Sequence, residues 1–220
     1  MFKQLKLVTS LAVTVTLVAC GGGGDIDIDS SSVSVNNPLK KYEGIYQDCD
    51  NNEKTIYSLL ATGTDGLNLN YSQELYENSN CSGELLASYK WNEPALITYK
   101  DTISAMQTTQ GAVNDFPSSV TVDRVTVLTR PSTATLTGSR VIDNCVIYWT
   151  VDNMGMPVGS KICFDLMRQS RTSTGSLYLT ADNQRLVQFL PHGNGDLYCG
   201  RFLATSWSFN CVHRKAIVAK

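Results

Sequence analysis

The sequence predicts an all-β fold: an antiparallel barrel or sandwich of roughly ten strands, cross-linked by disulfides. Three observations predict it. Short apolar runs alternate with period two and are separated by turns carrying Gly, Asn and Asp. No segment sustains a helical stripe beyond about ten residues. Six cysteines, an even number, follow a leader-like amino terminus, which reads as a disulfide framework in an oxidising compartment. With 42% hydrophobic and 17% charged residues, the 220-residue chain can bury a core and is not a disordered polymer.

The amino terminus reads as an address. Lys3 and Lys6 make a positive start, residues 7–18 are apolar and rich in Val, Leu and Thr, and small residues follow. The segment closes on Leu17-Val18-Ala19-Cys20. This resembles the lipobox of bacterial lipoproteins, with a Leu three before the Cys and a small residue just before it. The resemblance implies that residues 1–19 are a signal peptide, and that Cys20 is acylated and anchors the chain in the bilayer. Two or more acyl chains hold firmly where one holds only reversibly. Gly21, where that family's sorting rule looks for Asp, implies the outer membrane.

Residues 20–41 read as a lipidated flexible tether: Gly21 to Gly24, Asp25, Asp27 and Asp29 alternating with Ile, then Ser30 to Ser32 and Asn36-Asn37-Pro38. About 20 such residues reach roughly 25 Å. The three Asp read as a solvated linker, not a Ca²⁺ cage, because no loop geometry fixes them. Residues 42–220 are the β domain, with a candidate subdivision near 116. Its strand signals run at 44–47, 55–60, 67–71, 85–91, 96–99, 120–127, 134–137, 145–151, 160–167, 176–180 and 185–189. Pattern alone leaves 85–91 and 160–168 open to short helices.

Six cysteines permit 15 pairings. Cys145 and Cys163 are symmetric about Met154 in the turn signal Asn153-Met154-Gly155-Met156-Pro157, and Cys199 and Cys211 are symmetric about Thr205. Hairpin symmetry therefore pairs these two sets and leaves Cys49 with Cys81, although a one-residue register slip would break each cross-strand argument. The domain opens Gly44-Ile45-Tyr46-Gln47-Asp48-Cys49, and Asn80-Cys81-Ser82-Gly83 follows about 30 residues later. This is similar to exported lipoproteins that begin Gly-x-Trp/Tyr, and to the first strand of lipocalin-like proteins. The resemblance implies an up-and-down, calycin-like barrel.

Candidate chemistry is sparse. His192 lies in the turn-rich Pro191-His192-Gly193-Asn194-Gly195-Asp196, and His213 follows Cys211. No Gly-x-Ser-x-Gly elbow accompanies either, and Cys211 with His213 leaves the other zinc ligands unassigned. Asp48-Cys49-Asp50-Asn51-Asn52 has the oxygens of an EF-hand start, yet Glu53 stands at position six and Leu59 at position twelve. Among Glu43, Glu53, Glu74, Glu77, Glu84 and Glu93 nothing selects a catalytic pair. No metal and no cofactor are expected. Without Lys3 and Lys6 the charge balance is 16 basic against 20 acidic with no basic stripe, which argues against nucleic acid as a partner. Trp91, Trp149 and Trp207 sit in strands, and packing against disulfides is the expectation for Tyr148-Trp149 and 207–209. The functional expectation is a non-catalytic outer-membrane lipoprotein whose β domain binds a small apolar or amphipathic ligand or an envelope partner. The alternatives are a structural or assembly lipoprotein working by protein–protein contact and, last, an envelope hydrolase using His192.

Overall fold

The computed structural model describes residues 36–106, 117–151, 156–191, 197–199 and 211–216. Cys20 with the leader, Asp25, Asp27, Asp29, His192 and Trp207 lie outside the described residues. The fold is all-β and antiparallel, and carries three disulfides. Its strands are β1 (Gly44–Asp50), β2 (Glu53–Thr62), β3 (Gly66–Asn78), β4 (Ser82–Trp91), β5 (Ala95–Met106), β6 (Ser119–Thr129), β7 (Ser132–Thr137), β8 (Val141–Ile142), β9 (Cys145–Val151), β10 (Pro157–Cys163), β11 (Met167–Arg168), β12 (Arg171–Leu179), β13 (Arg185–Pro191), β14 (Leu197–Cys199) and β15 (Val212–Lys215). The segments 85–91 and 160–168, open to helix by pattern, are strand where they are regular: β4, β10 and β11.

Eight strands pair in a closed ring: β1, β2, β3, β5, β6, β12, β13 and β15, with β15 returning to β1. Register identifies the inside, because directly opposed residues on neighbouring strands share a face. Tyr46 faces Tyr57, which faces Tyr71; Leu67 faces Ile97, which faces Val127. Val125 faces Gly175, Leu177 faces Gln188, Leu186 faces His213, and Lys215 faces Tyr46 again. The apolar members of that circuit on every strand but β15 join one buried cluster, and His213 lies within it against Tyr57 at 4.7 Å between ring centroids. Burial pushes the Tyr46 hydroxyl up to about 12, so its ring is a neutral core group.

Three departures from a plain ring shape the rest. β3 is split along one edge: Gly66 to Leu69 pair with β5, whereas Ser72 to Asn78 pair with β4. The far half of β3, still paired with β2 on one edge, turns its other edge to β4 and so starts a flap with β4, β7 and β11. The three-stranded sheet β10-β9-β8 packs on that flap through Val146, Tyr148 and Ile162 against Leu75, Leu86 and Ala87. On the outward face of the ring, Val122, Val187 and Phe189 pack with the disulfide Cys199–Cys211. Because both faces of β6 are covered, its buried residues include adjacent positions, Val122 and Asp123.

β5 and β6 pair from Leu96 opposite Leu128 to Met106 opposite Ser119; residue 116, the candidate subdivision, lies outside the described residues. The domain begins before residue 42. Asn37 is buried, its Nδ2 donating to the Gly66 carbonyl at 2.8 Å while its Oδ1 accepts from the Leu39 amide at 2.9 Å. Leu39 is fully buried, which contributes about 2 kcal/mol relative to exposure. A polar, turn-like composition concealed these contacts because the fixing groups are themselves Asn and main chain. Asn37→Ala removes two buried hydrogen bonds and is expected to lower unfolding free energy by about 1–2 kcal/mol, read in a urea melt.

Candidate functional site

The β1–β2 turn is the two-residue loop Asn51-Asn52, with Asn51 at φ 57°, a left-handed conformation that Asn tolerates. Asn52 then clamps the turn onto β3: its Nδ2 donates to the Tyr76 carbonyl at 3.1 Å and its own carbonyl accepts from the Tyr76 amide at 2.8 Å. The disulfide Cys49–Cys81 joins this turn to the end of the β3–β4 hairpin across 32 residues of sequence. These links gather Asp50, Glu53, Glu77 and Asn78 on one side of a groove of about 600 Å³. Tyr148, Trp149 and Ile162 of the three-stranded sheet form the other side.

The second side rests on β9 and β10. Cys145 and Cys163 are directly opposed and bridged, which locks their register. On that register Tyr148 faces Ser160 and joins the flap's core, whereas Trp149 faces Gly159. Trp149 is 70% exposed. A Cβ built on Gly159 would sit 3.4 Å from the indole Cζ3 and 3.7 Å from Cη2. The indole thus lies against the bare backbone of Gly159, covering a glycine that lacks a side chain of its own.

The expectation for Tyr148-Trp149 needs correction. Both were expected to pack against a bridge, and only Tyr148 joins a core. Neighbours on a strand point to opposite faces, so one of the two had to leave. Trp91, by contrast, is buried, with the Arg168 guanidinium 3.4 Å over its ring centroid. His213 is a core residue of the ring, with no access from solvent. Asp48 to Asn52 form the end of β1 and its turn.

The acidic residues distribute unevenly. Glu74 pairs with Lys54 at 3.7 Å and accepts from the Tyr76 hydroxyl at 2.8 Å. Glu84 accepts from Ser139 at 2.8 Å, and Glu43 accepts from the Ala61 amide at 3.4 Å. Glu53 and Glu77 line the same groove as Asp50, a neighbourhood that sequence spacing did not suggest. The signal that could have found it was the Cys49–Cys81 pairing, which forces positions near 50 and near 78 together. Burial raises the Tyr148 hydroxyl pKa, its hydrogen bond with Ser160 partly opposes that, and the Glu53 carboxylate adds a smaller upward push. Among the described residues, no group of three or more His, Cys, Asp or Glu is placed to hold a metal ion.

Two further grooves, about 390 and 400 Å³, lie on the outward faces of β2, β3, β4 and β7. Their linings are mainly hydroxyls, amides and Lys90. Neither contains an exposed aromatic ring, which leaves the Trp149 groove as the better binding surface. Comparison with protein-family models, with curated proteins and with solved structures finds no match.

Proposed function

We propose that this chain is a non-catalytic lipoprotein of the bacterial outer membrane, held by acylated Cys20, whose β domain binds a small amphipathic ligand in the Trp149 groove. The leader, the lipobox-like Leu17-Val18-Ala19-Cys20 and three disulfides support the address. One observation carries the binding role: a 70% exposed tryptophan at the rim of a groove whose apolar floor, Tyr148 and Ile162, faces carboxylates and amides. Pockets of a few hundred cubic ångströms with an apolar wall and a few polar groups are the usual form of small-ligand sites. The ring interior, where a lipocalin-like protein would hold its ligand, is occupied along the described strands by packed side chains such as Tyr46, Tyr57 and Leu67. That favours the outer groove.

Native mass spectrometry of the full chain after gentle detergent extraction tests both halves. The expected spectrum shows acyl mass on Cys20 and a retained small molecule, with the latter lost in Trp149→Ala. Because Trp149 is a surface residue, that variant is expected to unfold within about 0.5 kcal/mol of the parent. A chain with neither acyl mass nor retained ligand overturns the proposal.

A further inference from the structure

We infer that the three-stranded sheet β10-β9-β8 seats the domain on a phospholipid surface, with Ile142, Ile147 and Trp149 in the headgroup region and Lys161 at the phosphates. This goes beyond ligand binding and rests on the anchor half of the reading above. Among the described residues ten large hydrophobic side chains are exposed, and five of them, Ile142, Ile147, Trp149, Met156 and Val158, lie in this small sheet or beside it. Register sorts them by face. Ile142 and Cys163 oppose Cys145, Lys161 opposes Ile147, and Gly159 opposes Trp149. These positions share the face turned away from the flap, because Val146, Tyr148 and Ile162 point toward it. Lys161 is exposed there, and no strand position on that face carries a carboxylate. Asp50, Glu53 and Glu77 line the groove with Tyr148 and Ile162, on the flap side of the sheet.

Two observations choose lipid over a protein surface. The hairpin of β9 and β10 is apolar on both faces toward its Met156 end. Trp149 is 70% exposed on one face, and Val158, which opposes Thr150 and so shares the face of Tyr148, is 42% exposed on the other. A flat partner or a second copy covers one face of a sheet, whereas the interface of a bilayer surrounds both. The second observation is the length of chain to the anchor: residues 21–36, 16 in number, separate Cys20 from the buried Asn37. A Gly- and Ser-rich linker of that length reaches roughly 20–24 Å. That is less than the width of a domain of this size, roughly 40 Å. An anchored domain therefore stays against the membrane at high effective concentration. Tryptophan settles at membrane–water interfaces, and lysine lays its stem along apolar surface while its ammonium reaches phosphate. One Lys beside two Ile, with no carboxylate on the same face, matches an anionic leaflet. The seat is shallow, since the sheet's outer strands β8 and β10 present edges that do not enter hydrocarbon.

The test reconstitutes the full chain, purified from its membrane, into vesicles of phosphatidylethanolamine and phosphatidylglycerol. The vesicles also carry a lipid brominated either near the headgroup or near the end of its acyl chains. The readout is quenching of the tryptophan emission that Trp149→Phe removes. Shallow bromine is expected to quench that emission at least about twofold more than deep bromine. Lys161→Gln should lower the ratio of docked to free domain about fivefold, and should have no effect once phosphatidylcholine replaces phosphatidylglycerol. A chain that floats with the vesicles while Trp149 goes unquenched, or is quenched equally from both depths, overturns the docked face and leaves the anchor standing. Trp149 shielded from bromine in a cross-linkable dimer overturns it in favour of a second copy. A Lys161→Gln variant that quenches like the parent overturns the choice of an anionic surface. A chain with no acyl mass that fails to float removes the anchor and this inference together.

Discussion

Gly138→Ala is expected to destabilise the protein by about 3 kcal/mol and to loosen the three-stranded sheet from the flap. Gly138 lies between β7 and β8 at φ +152°, a conformation that side chains disfavour. Steric overlap costs more than that strain. A Cβ there would lie 2.2 Å from the Leu86 carbonyl oxygen and 2.6 Å from the Ala87 Cα. Both are main chain, so no rotamer change relieves the overlap. The Leu86 carbonyl also accepts from the Arg140 amide at 3.3 Å, so pushing the chain off β4 strains the contact that starts β8. The packing of Val146, Tyr148 and Ile162 on Leu75, Leu86 and Ala87 follows directly after that contact. Urea melts should show the loss, and limited proteolysis should find new cleavage in 141–163. Gly63→Ala is the control: φ is +58°, but no atom lies within 4 Å of the new Cβ. It should cost only the backbone strain, about 1–2 kcal/mol. Equal effects of the two variants would mean that the close approach at Gly138 contributes nothing.

The hairpins of this fold were readable in the sequence, and its closure was not. Period-two runs mark most strands because a half-buried strand must alternate. The short β8 and β11, two residues each, carry too little pattern to see. Closure rests on β3 meeting β5 and on β15 lying between β13 and β1. These pairings are set by which faces can be buried together, a property of the whole chain. The same reason separates the legible from the illegible in the groove. Cysteine symmetry named Cys145–Cys163, whose residues are directly opposed, and Cys199–Cys211, whose strands β14 and β15 instead each pair with β13, and Cys49–Cys81 was the pair that remained. Nothing local told whether Tyr148 or Trp149 would face the core, because a strand covered on one side reads alike in either register. Gly159 was the nearest clue, although it stands just before the strand signal at 160–167: a glycine on a strand invites an aromatic from across the ladder.

Asp123→Ala is the second large effect, expected at about 3 kcal/mol. Asp123 occupies the ring interior at 2% exposure, opposite Leu177 on β12. Three donors hold its carboxylate. Thr102 donates to Oδ1 at 2.6 Å, and the Lys41 ammonium lies 2.7 Å from Oδ2. The Tyr42 hydroxyl is 2.8 Å from Oδ2 and also 2.8 Å from the Leu177 carbonyl, with one proton for two acceptors. Burial first, then the Asp123 charge, pushes the Tyr42 pKa far upward, so that proton stays. Hydrogen bonds to a charged group contribute about 1.5–3 kcal/mol each, but the full sum is not lost on truncation. Tyr42 keeps Leu177, Thr102 keeps the Tyr99 hydroxyl at 2.9 Å, and Lys41, 55% exposed, turns to water. Asp123→Asn retains the shape and one acceptor, and its amide can donate to Tyr42. It should therefore cost about 1 kcal/mol. The carboxylate fastens residues 40–42, a single 3-10 turn, to the ring. That turn follows directly on the buried Asn37 and Leu39 with which the packed residues begin. Hydrogen exchange at 39–43 should thus accelerate in Asp123→Ala more than exchange in β2 or β6. A uniform acceleration across the domain would show instead that Asp123 supports the ring as a whole and that the entry turn has no separate fastening.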